Sequence, residues 1–174
     1  SISFLKQYPR KKFKKFIFSF EKSRNLKNNR VHKNSTNKHN LNDLGLKTIK
    51  VYQEPAKSRF SFTASEKSID IIKEKEFDIL LQFNKKVIEG ELLTIANFGI
   101  LSIDYGSDFD FKGGPTGFWE VYNSDIKSGY IIHQLTEELD NVNILFRGFI
   151  PTQKSWLLNK SELNLRSFFY LKKI

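Results

Sequence analysis

The sequence has 174 residues, 39% of them hydrophobic and 17 of them Phe, which is enough for one globular domain with a sizeable core. It contains no Cys, which excludes disulfides, thiolate metal sites and a cysteine nucleophile. The net charge of +10 belongs mainly to the first third of the chain, where the only acids are Glu21, Asp43 and Glu54, so it does not indicate nucleic-acid binding by the rest.

The first 47 residues differ in composition from the remainder. Apolar residues at helical spacing among lysines predict an amphipathic basic helix within residues 4–26. These apolar residues are Phe13, Phe16, Ile17 and Phe20. Such a helix either packs on its own domain with a solvated lysine face, which is the commoner case, or lies on an anionic membrane or nucleic acid. A polar Asn- and Lys-rich insert follows up to residue 47, and we expect an α/β domain over residues 48–174.

Short strands and helices alternate from residue 48 onward. The pattern predicts a strand at 48–53 and then a helix over 65–77, capped by Ser65. On that helix Ile69, Ile72 and Phe77 are expected on one side. Apolar runs predict buried strands at 78–83 and 98–103, with a short helix at 86–93 between them.

The alternation continues to the last residue of the sequence. A short helix with expected core aromatics Phe118, Trp119 and Tyr122 precedes strands at 129–135 and 143–150. The tail from Ser155 is helical in pattern, with Leu157, Leu158, Leu165, Phe168, Phe169 and Leu171 as its apolar positions. Strands without polar interruption, separated by helices, predict an α/β fold: a Rossmann-like, largely parallel sheet with helices on both faces.

The strand at 98–103 delivers candidate functional residues to one edge of this sheet. Ligands of open α/β sheets bind beyond the carboxyl ends of the strands, where Ser102, Asp104 and a Gly-rich loop follow. The loop contains "GGPTG", which matches neither a P-loop nor GxGxxG. It is therefore either an anion-binding loop or, more commonly, a helix-entry turn.

Acids and histidines near this edge offer further chemistry. The aspartates at 104, 108, 110 and 140 are candidates for acid/base catalysis or a hard-metal site, although clustered loop aspartates are more often turn and cap residues. No DxDxDG pattern is present, so we expect no calcium loop. His133 has no partner at metal-ligand spacing, and a packing or surface role is expected for it.

An ordered series of motifs runs over residues 77 to 151. It comprises "FDILLQF", "GILSIDYG", "GGPTGFWEVYN", "GYIIHQLTEELD" and "RGFIPT". This series resembles the formyltransferase family, which includes methionyl-tRNA, glycinamide-ribonucleotide and sugar-amine N-formyltransferases. It looks most like the formyltransferase-like region of glucosamine inositolphosphorylceramide transferases and bacterial glycan-processing proteins. The resemblance implies an N-terminally truncated domain, whose first strand–helix units would precede Ser1.

The resemblance also implies a reaction and its residues. Family members transfer a formyl group from 10-formyltetrahydrofolate to an amine, with an Asn and a His at the oxyanion and an Asp that orients the His. These positions fall on Ser102, Asp104 and Asp140, so only the Asp is kept. An ionised Asp104 donates no hydrogen bond, and losing one oxyanion donor costs about 10²–10³ in rate. By the same resemblance the folate would contact Phe83, Gly113, Gly114, Leu139 and Asn141.

Two functional hypotheses follow for a domain with these replacements. One is a formyltransferase with altered catalytic residues, acting on a small-molecule amine such as an amino sugar in glycan biosynthesis. A proton shared by Asp104 and Asp140 would leave one carboxyl able to donate in such an enzyme. The other is a degenerate formyltransferase-like module that binds a sugar nucleotide or docks a downstream glycan-processing domain.

A nucleic-acid or membrane binder is the weakest interpretation. With no apolar run long enough to span a membrane, we expect a cytoplasmic location.

Overall fold

A computed structural model describes residues 43, 45–56, 60–84, 86–106, 115–138 and 143–174. The strands are β1 (Gln53–Pro55), β2 (Ser61–Ala64), β3 (Leu80–Gln82), β4 (Val87–Ile88), β5 (Ile100–Tyr105), β6 (Lys127–Gln134) and β7 (Asn143–Pro151). The helices are α1 (Glu66–Lys73), α2 (Phe118–Asn123) and α3 (Trp156–Leu171), with a 3₁₀ helix at Gly90–Thr94. The basic helix expected within residues 4–26 lies outside the described residues.

The smaller sheet has the strand order β1-β2-β4, with β1 antiparallel and β4 parallel to β2. The helix predicted over 86–93 is wrong in its first half, because the β-branched Val87 and Ile88 pair with β2 instead. The 3₁₀ helix follows, and its first residue, Gly90, has a φ of +76°. The strand predicted at 48–53 begins only at Gln53.

The larger sheet has the strand order β3-β5-β6-β7. The α/β class is confirmed, but the sheet is mixed rather than largely parallel: β3 and β5 are parallel, whereas β6 is antiparallel to both its neighbours. Residues 135–142, which join β6 to β7, are too few for the crossover of about a dozen residues that a parallel pair needs. The two strands therefore form a hairpin.

The two faces of the larger sheet pack against different elements. On one face Tyr130 and Ile150 form a core cluster with Leu163 of α3. On the other face Ile100 joins a larger cluster with α1, the 3₁₀ helix and the smaller sheet. The other buried members of that cluster are Phe62, Ala64, Ile69, Ile72, Ile88, Leu92 and Leu93. This second core covers the beginning of β5 and leaves its carboxyl end to polar side chains.

The helix α1 begins after Ser65, as the sequence predicts, and buries Ile69 and Ile72. Phe77 does not extend this apolar side, since the helix ends at Lys73 and Phe77 is 38% exposed. The turn that follows holds Glu76 at a φ of +47°. A positive φ is incompatible with a continuing right-handed helix, which explains the early stop.

The long helix α3 buries a stripe that is partly polar. Trp156, Asn159, Leu163 and Ser167 recur every three or four residues and are all buried. By contrast, the expected apolar positions Leu165, Phe168 and Phe169 are at least 40% exposed. Among the helices of the described residues, none is long and apolar enough to cross a membrane.

Candidate functional site

Three polar side chains share one face of the larger sheet. Ser102 and Asp104 are two residues apart on β5, on the face that Ile100 begins. In the β5–β6 register His133 lies directly opposite Ser102, and Ile131 lies opposite Asp104. Opposed residues of an antiparallel pair point to the same face. Ser102, Asp104 and His133 are therefore neighbours at the carboxyl end of β5.

Asp104 and His133 are in contact across the two strands. Nε2 of His133 lies 3.2 Å from Oδ2 of Asp104. The imidazole side chain is only 4% exposed, whereas the carboxylate side chain is 73% exposed. Within the described residues neither ring nitrogen of His133 has a hydrogen-bond partner, so the contact is a close approach of the two groups without hydrogen-bond geometry. The pair therefore consists of a solvent-exposed carboxylate and a buried imidazole.

The sequence predicts a packing or surface role for His133, and burial alone agrees with packing. The sequence pattern around His133 does not predict that the side chain approaches an acid. One available signal is strand parity. In adjacent antiparallel strands, Asp104 and His133 both alternate onto the face opposite the cluster that contains Tyr130. That signal needs the β5–β6 register, which depends on the long connection between these strands and cannot be read from local pattern.

Ser102 is half-buried and lies between two strands. Its register partners are Gln82 on β3 and His133 on β6. The amide of Gln82 donates to Oδ1 of Asn84 at 3.0 Å. No hydrogen bond joins the side chains of Ser102 and His133 within the described residues, since both ring nitrogens of His133 lack a hydrogen-bond partner. The arrangement is therefore not that of a serine activated as a nucleophile by a histidine.

The chemistry available here is proton transfer and hydrogen-bond donation. A hydroxyl, a carboxylate and an imidazole stand on neighbouring strands, which are about 5 Å apart. The carboxylate and imidazole can accept or release a proton, and the hydroxyl can donate a hydrogen bond to developing negative charge. In the part of the chain that the structure describes, no three His, Cys, Asp or Glu residues are grouped to hold a metal ion.

Phe83, expected at a folate site, is not brought together with Ser102 and Asp104. It is 69% exposed, and its ring centroid lies 5.9 Å from that of Phe168 on α3. Both rings line an apolar cleft of about 400 Å³. Leu101 also lines the cleft, and since neighbouring strand residues point to opposite faces, the cleft and Ser102 lie on opposite sides of the sheet.

The remaining expected site residues lie outside the described residues. They are Gly113, Gly114, Leu139, Asp140 and Asn141, together with the loop aspartates at 108 and 110. The aromatic helix that follows the loop is present as α2. Phe118 is buried there, whereas Tyr122 is 44% exposed, so the aromatic anchor is mainly Phe118 with its edge-on neighbour Trp156.

A second buried ionisable group lies in α2. Glu120 is 2% exposed, and its Oε1 has no hydrogen-bond partner among the described residues. Burial raises the pKa of this carboxyl, and the nearby Asp125 carboxylate raises it further. Sequence reasoning missed Glu120, since a Glu in the first turn of a helix is usually a solvated, dipole-stabilising residue.

Comparison with solved structures finds formyltransferases and a deformylase. Glycinamide ribonucleotide transformylase 1 from Symbiobacterium toebii has a TM-score of 0.49 and 16% identity, covering 62% of this chain and 55% of its own. Phosphoribosylglycinamide formyltransferase from Streptococcus pneumoniae has a TM-score of 0.46 and 16% identity, covering 60% and 59%. Formyltetrahydrofolate deformylase from Pseudomonas putida has a TM-score of 0.44 and 14% identity, covering 62% and 42%.

The chain therefore spans about half the length of these proteins. With identities of 14 to 16% and TM-scores below 0.5, nothing about the activity of this chain follows from them. No family model matches the chain, and no curated protein is significantly similar to it.

Proposed function

We propose that this chain is a formyltransferase-like domain that transfers a formyl group from a folate donor to an amine. The observation that carries the proposal is the Asp104–His133 contact beside Ser102, at the carboxyl end of β5. The motif series resembling formyltransferases assigns its chemical residues to this same strand end. The contact supplies there the acid/base pair that formyl transfer to an amine requires.

Each side chain has a task in such a reaction. An amine that attacks a formyl carbon loses a proton, and the carbonyl oxygen gains negative charge. The exposed Asp104 carboxylate is the acceptor for the proton. The Ser102 hydroxyl is the hydrogen-bond donor for the oxygen. Acid/base assistance contributes roughly 10²–10⁴ in rate, and one oxyanion donor about 10²–10³, so both roles are large enough to measure.

The donor is proposed to be 10-formyltetrahydrofolate, on the sequence resemblance alone. Of the residues expected to bind it, the structure describes Phe83, which lies on the other side of the sheet from Ser102. Gly113, Gly114, Leu139 and Asn141 remain the folate-contacting residues of the proposal. Asp140 remains its third catalytic residue, as the resemblance implies.

The acceptor is proposed to be an amino sugar used in glycan biosynthesis. This finer proposal follows from the likeness of "GGPTGFWEVYN" and "RGFIPT" to the region that precedes glycan-processing domains. It carries with it a cytoplasmic location and a downstream glycan-processing domain as partner.

A degenerate binding module is the second candidate. It is favoured by the replacement of the family's Asn and His by Ser102 and Asp104, and by the position of Phe83 away from them. In that case the chain binds a sugar nucleotide or docks a neighbouring domain and has no measurable turnover.

Two measurements on the full chain separate these candidates. Radiolabelled 10-formyltetrahydrofolate is incubated with a panel of amino sugars and other primary amines, and N-formyl product is quantified. Binding of a non-reactive 10-formyltetrahydrofolate analogue is measured by calorimetry. Product above the uncatalysed rate, with analogue binding, supports the transferase. Sugar-nucleotide binding with neither product nor analogue binding contradicts it and supports the module.

A further inference from the structure

The two members of the Asp104–His133 pair differ in solvent exposure. Its carboxylate is 73% exposed and can touch a substrate, whereas its imidazole is 4% exposed and cannot do so without rearrangement of the sheet face. A proton acceptor that meets the substrate must therefore be Asp104. Any contribution of His133 has to pass through that carboxylate.

We propose that His133 is the positioning residue through which Asp104 works: the two side chains share one proton across the β5–β6 pair. This inference rests on the proposed function, and it names the residue that replaces the missing histidine chemistry on β5. Asp104 needs such a partner, because an ionised carboxylate accepts protons but cannot donate a hydrogen bond. A shared proton supplies both states.

The proton balance of the pair is simple. When the proton moves from Nε2 of the imidazolium to Oδ2 of Asp104, an N–H bond breaks and an O–H bond forms, and the charges on both groups are neutralised. The resulting carboxylic acid can donate to a developing oxyanion. When the proton returns to His133, the carboxylate can accept the proton of an attacking amine, and that proton then passes to the folate nitrogen, which leaves as its bond to the formyl carbon breaks. The pair itself consumes no reactant, and because Nε2 and Oδ2 are already 3.2 Å apart, side-chain rotation that aligns the N–H with the carboxylate is the movement that the transfer requires.

A buried histidine that serves only for packing is expected to have its ring nitrogens hydrogen-bonded, and those of His133 are not. Buried polar atoms are nearly always hydrogen-bonded, and an unpaired buried nitrogen is costly. His133 keeps both ring nitrogens buried without a hydrogen bond to any described residue, and directs one of them at a carboxylate. An apolar side chain of similar size would serve packing better at this position.

Other charges of the same face enter the proton equilibrium. In the register of β5, β6 and β7, Asp104 is opposite Ile131, and Ile131 is opposite Arg147. Arg147 therefore stands two strands from Asp104, about 10 Å away. Lys127 lies farther along β6 on this face. Among the described strand residues of this face, Arg147 and Lys127 carry positive charge, and both stand farther from Asp104 than His133 does.

Nuclear magnetic resonance on the full chain tests the shared proton independently of activity. The variants are Asp104→Asn, which changes an exposed side chain, and His133→Asn, which removes the imidazole. Ile132→Val is the matched control, since Ile132 is 0% exposed on the same strand but faces the other way. In Asp104→Asn the ring-nitrogen signals of His133 should shift at constant pH, and in His133→Asn the titration of the Asp104 carboxyl carbon should move. Ile132→Val should change neither.

Kinetics provides the second readout. His133→Asn should lower kcat for formyl transfer by at least about 100-fold with KM nearly unchanged. The double variant should be no slower than the slower single variant, because residues that act as a unit are not additive. If His133→Asn does not fold, the ring-nitrogen spectrum of Asp104→Asn still decides the question.

The outcomes separate the two proposals. An active wild type whose His133 signals ignore Asp104→Asn, or whose kcat survives His133→Asn, overturns the shared proton and leaves the proposed function intact. A wild type that forms no product with any amine, yet shows coupled Asp104 and His133 signals, overturns the proposed function and supports the pair.

Discussion

The side-chain amide of Asn159 on α3 donates hydrogen bonds to the carbonyl oxygen of Gly117 and the hydroxyl of Ser128, each at 2.9 Å. Its Oδ1 accepts a hydrogen bond from the backbone N–H of Gln153 at 3.0 Å. Asn159 is 0% exposed. One buried side chain thus joins α3 to the start of α2, to β6 and to the segment that follows β7.

Replacement of Asn159 by Ala should destabilise the domain by about 3 kcal/mol, since it leaves several buried donors and acceptors unpaired at once. Urea denaturation followed by tryptophan fluorescence measures this. Asn164→Ala on the same helix is the control: the hydrogen bond there uses the backbone carbonyl of Asn164, so the change should stay within about 0.5 kcal/mol. Equal losses in the two variants would contradict the joining role.

Helix α3 shows which part of the fold the sequence predicts and which it does not. Its helical pattern is readable because apolar residues recur with the period of a helix. Its buried face is misread, since the period marks Leu165 and Phe169 while the structure buries Asn159 and Ser167. A polar residue becomes a core residue only when its hydrogen-bond partners arrive from distant segments, and a local pattern does not contain them.

The residues of the candidate site also fall into those that the sequence predicts and those that it does not. Ser102 and Asp104 follow from the rule that strands of an α/β sheet end at ligand sites, together with the motif series. His133 does not, since its meeting with Asp104 depends on the antiparallel register of two strands far apart in sequence. Phe83, which the motif series predicts at a folate site, lies on the opposite side of the sheet, a position that also depends on the strand register.

Gly148 on β7 is required for close packing of an aromatic ring. A Cβ at this position would collide with the ring and hydroxyl of Tyr130, coming within 2.7 Å of Cε1. Gly148→Ala should therefore cost about 2 kcal/mol in the free energy of unfolding. In a Tyr130→Ala background, which removes the ring, the same substitution should cost far less. An unchanged cost in that background would show that the collision is not the cause.

Glu120 makes stability depend on pH with a defined sign. Because burial raises its pKa above the usual 4.5, the folded state holds more protons than the unfolded state between these two values. The free energy of unfolding therefore falls as pH rises through this window. Glu120→Gln should remove this contribution to the fall and make the domain more stable than the wild type at neutral pH.

Chemical denaturation at several pH values between about 4 and 8 follows this effect. Glu137→Gln is the matched control, since it removes an exposed carboxylate and should leave the pH dependence as in the wild type. If the two variants have the same pH profile, Glu120 is not the group responsible.

Ser102 is expected to act on rate and not on stability. Ser102→Ala should lower kcat of the proposed formyl transfer by about 10²–10³ with KM little changed, because only the oxyanion contact is lost. Ser102→Thr keeps the hydroxyl and should retain most of the activity. A thermal melt checks that both variants are folded. Equal kcat in Ser102→Ala and wild type would remove Ser102 from the reaction.

The apolar cleft lined by Phe83 and Phe168 should bind a hydrophobic fluorescent dye. Leu81 lines this cleft and is 45% exposed, so Leu81→Lys should weaken dye binding while changing the free energy of unfolding by no more than about 0.5 kcal/mol. Ile126→Lys is the control, as Ile126 is 92% exposed and lies outside the cleft. Dye binding that responds equally to both substitutions would place the dye elsewhere.

The alternation of β6 assigns its residues to two separate series. Ser128, Tyr130 and Ile132 are at most 1% exposed, and Ser128 and Tyr130 face α3. Gly129, Ile131 and His133 lie on the face that carries the Asp104–His133 pair. A saturation mutagenesis scan along this strand should therefore separate two effects: substitutions in the first series should lower the abundance of folded protein, and substitutions in the second series should also lower turnover per folded molecule.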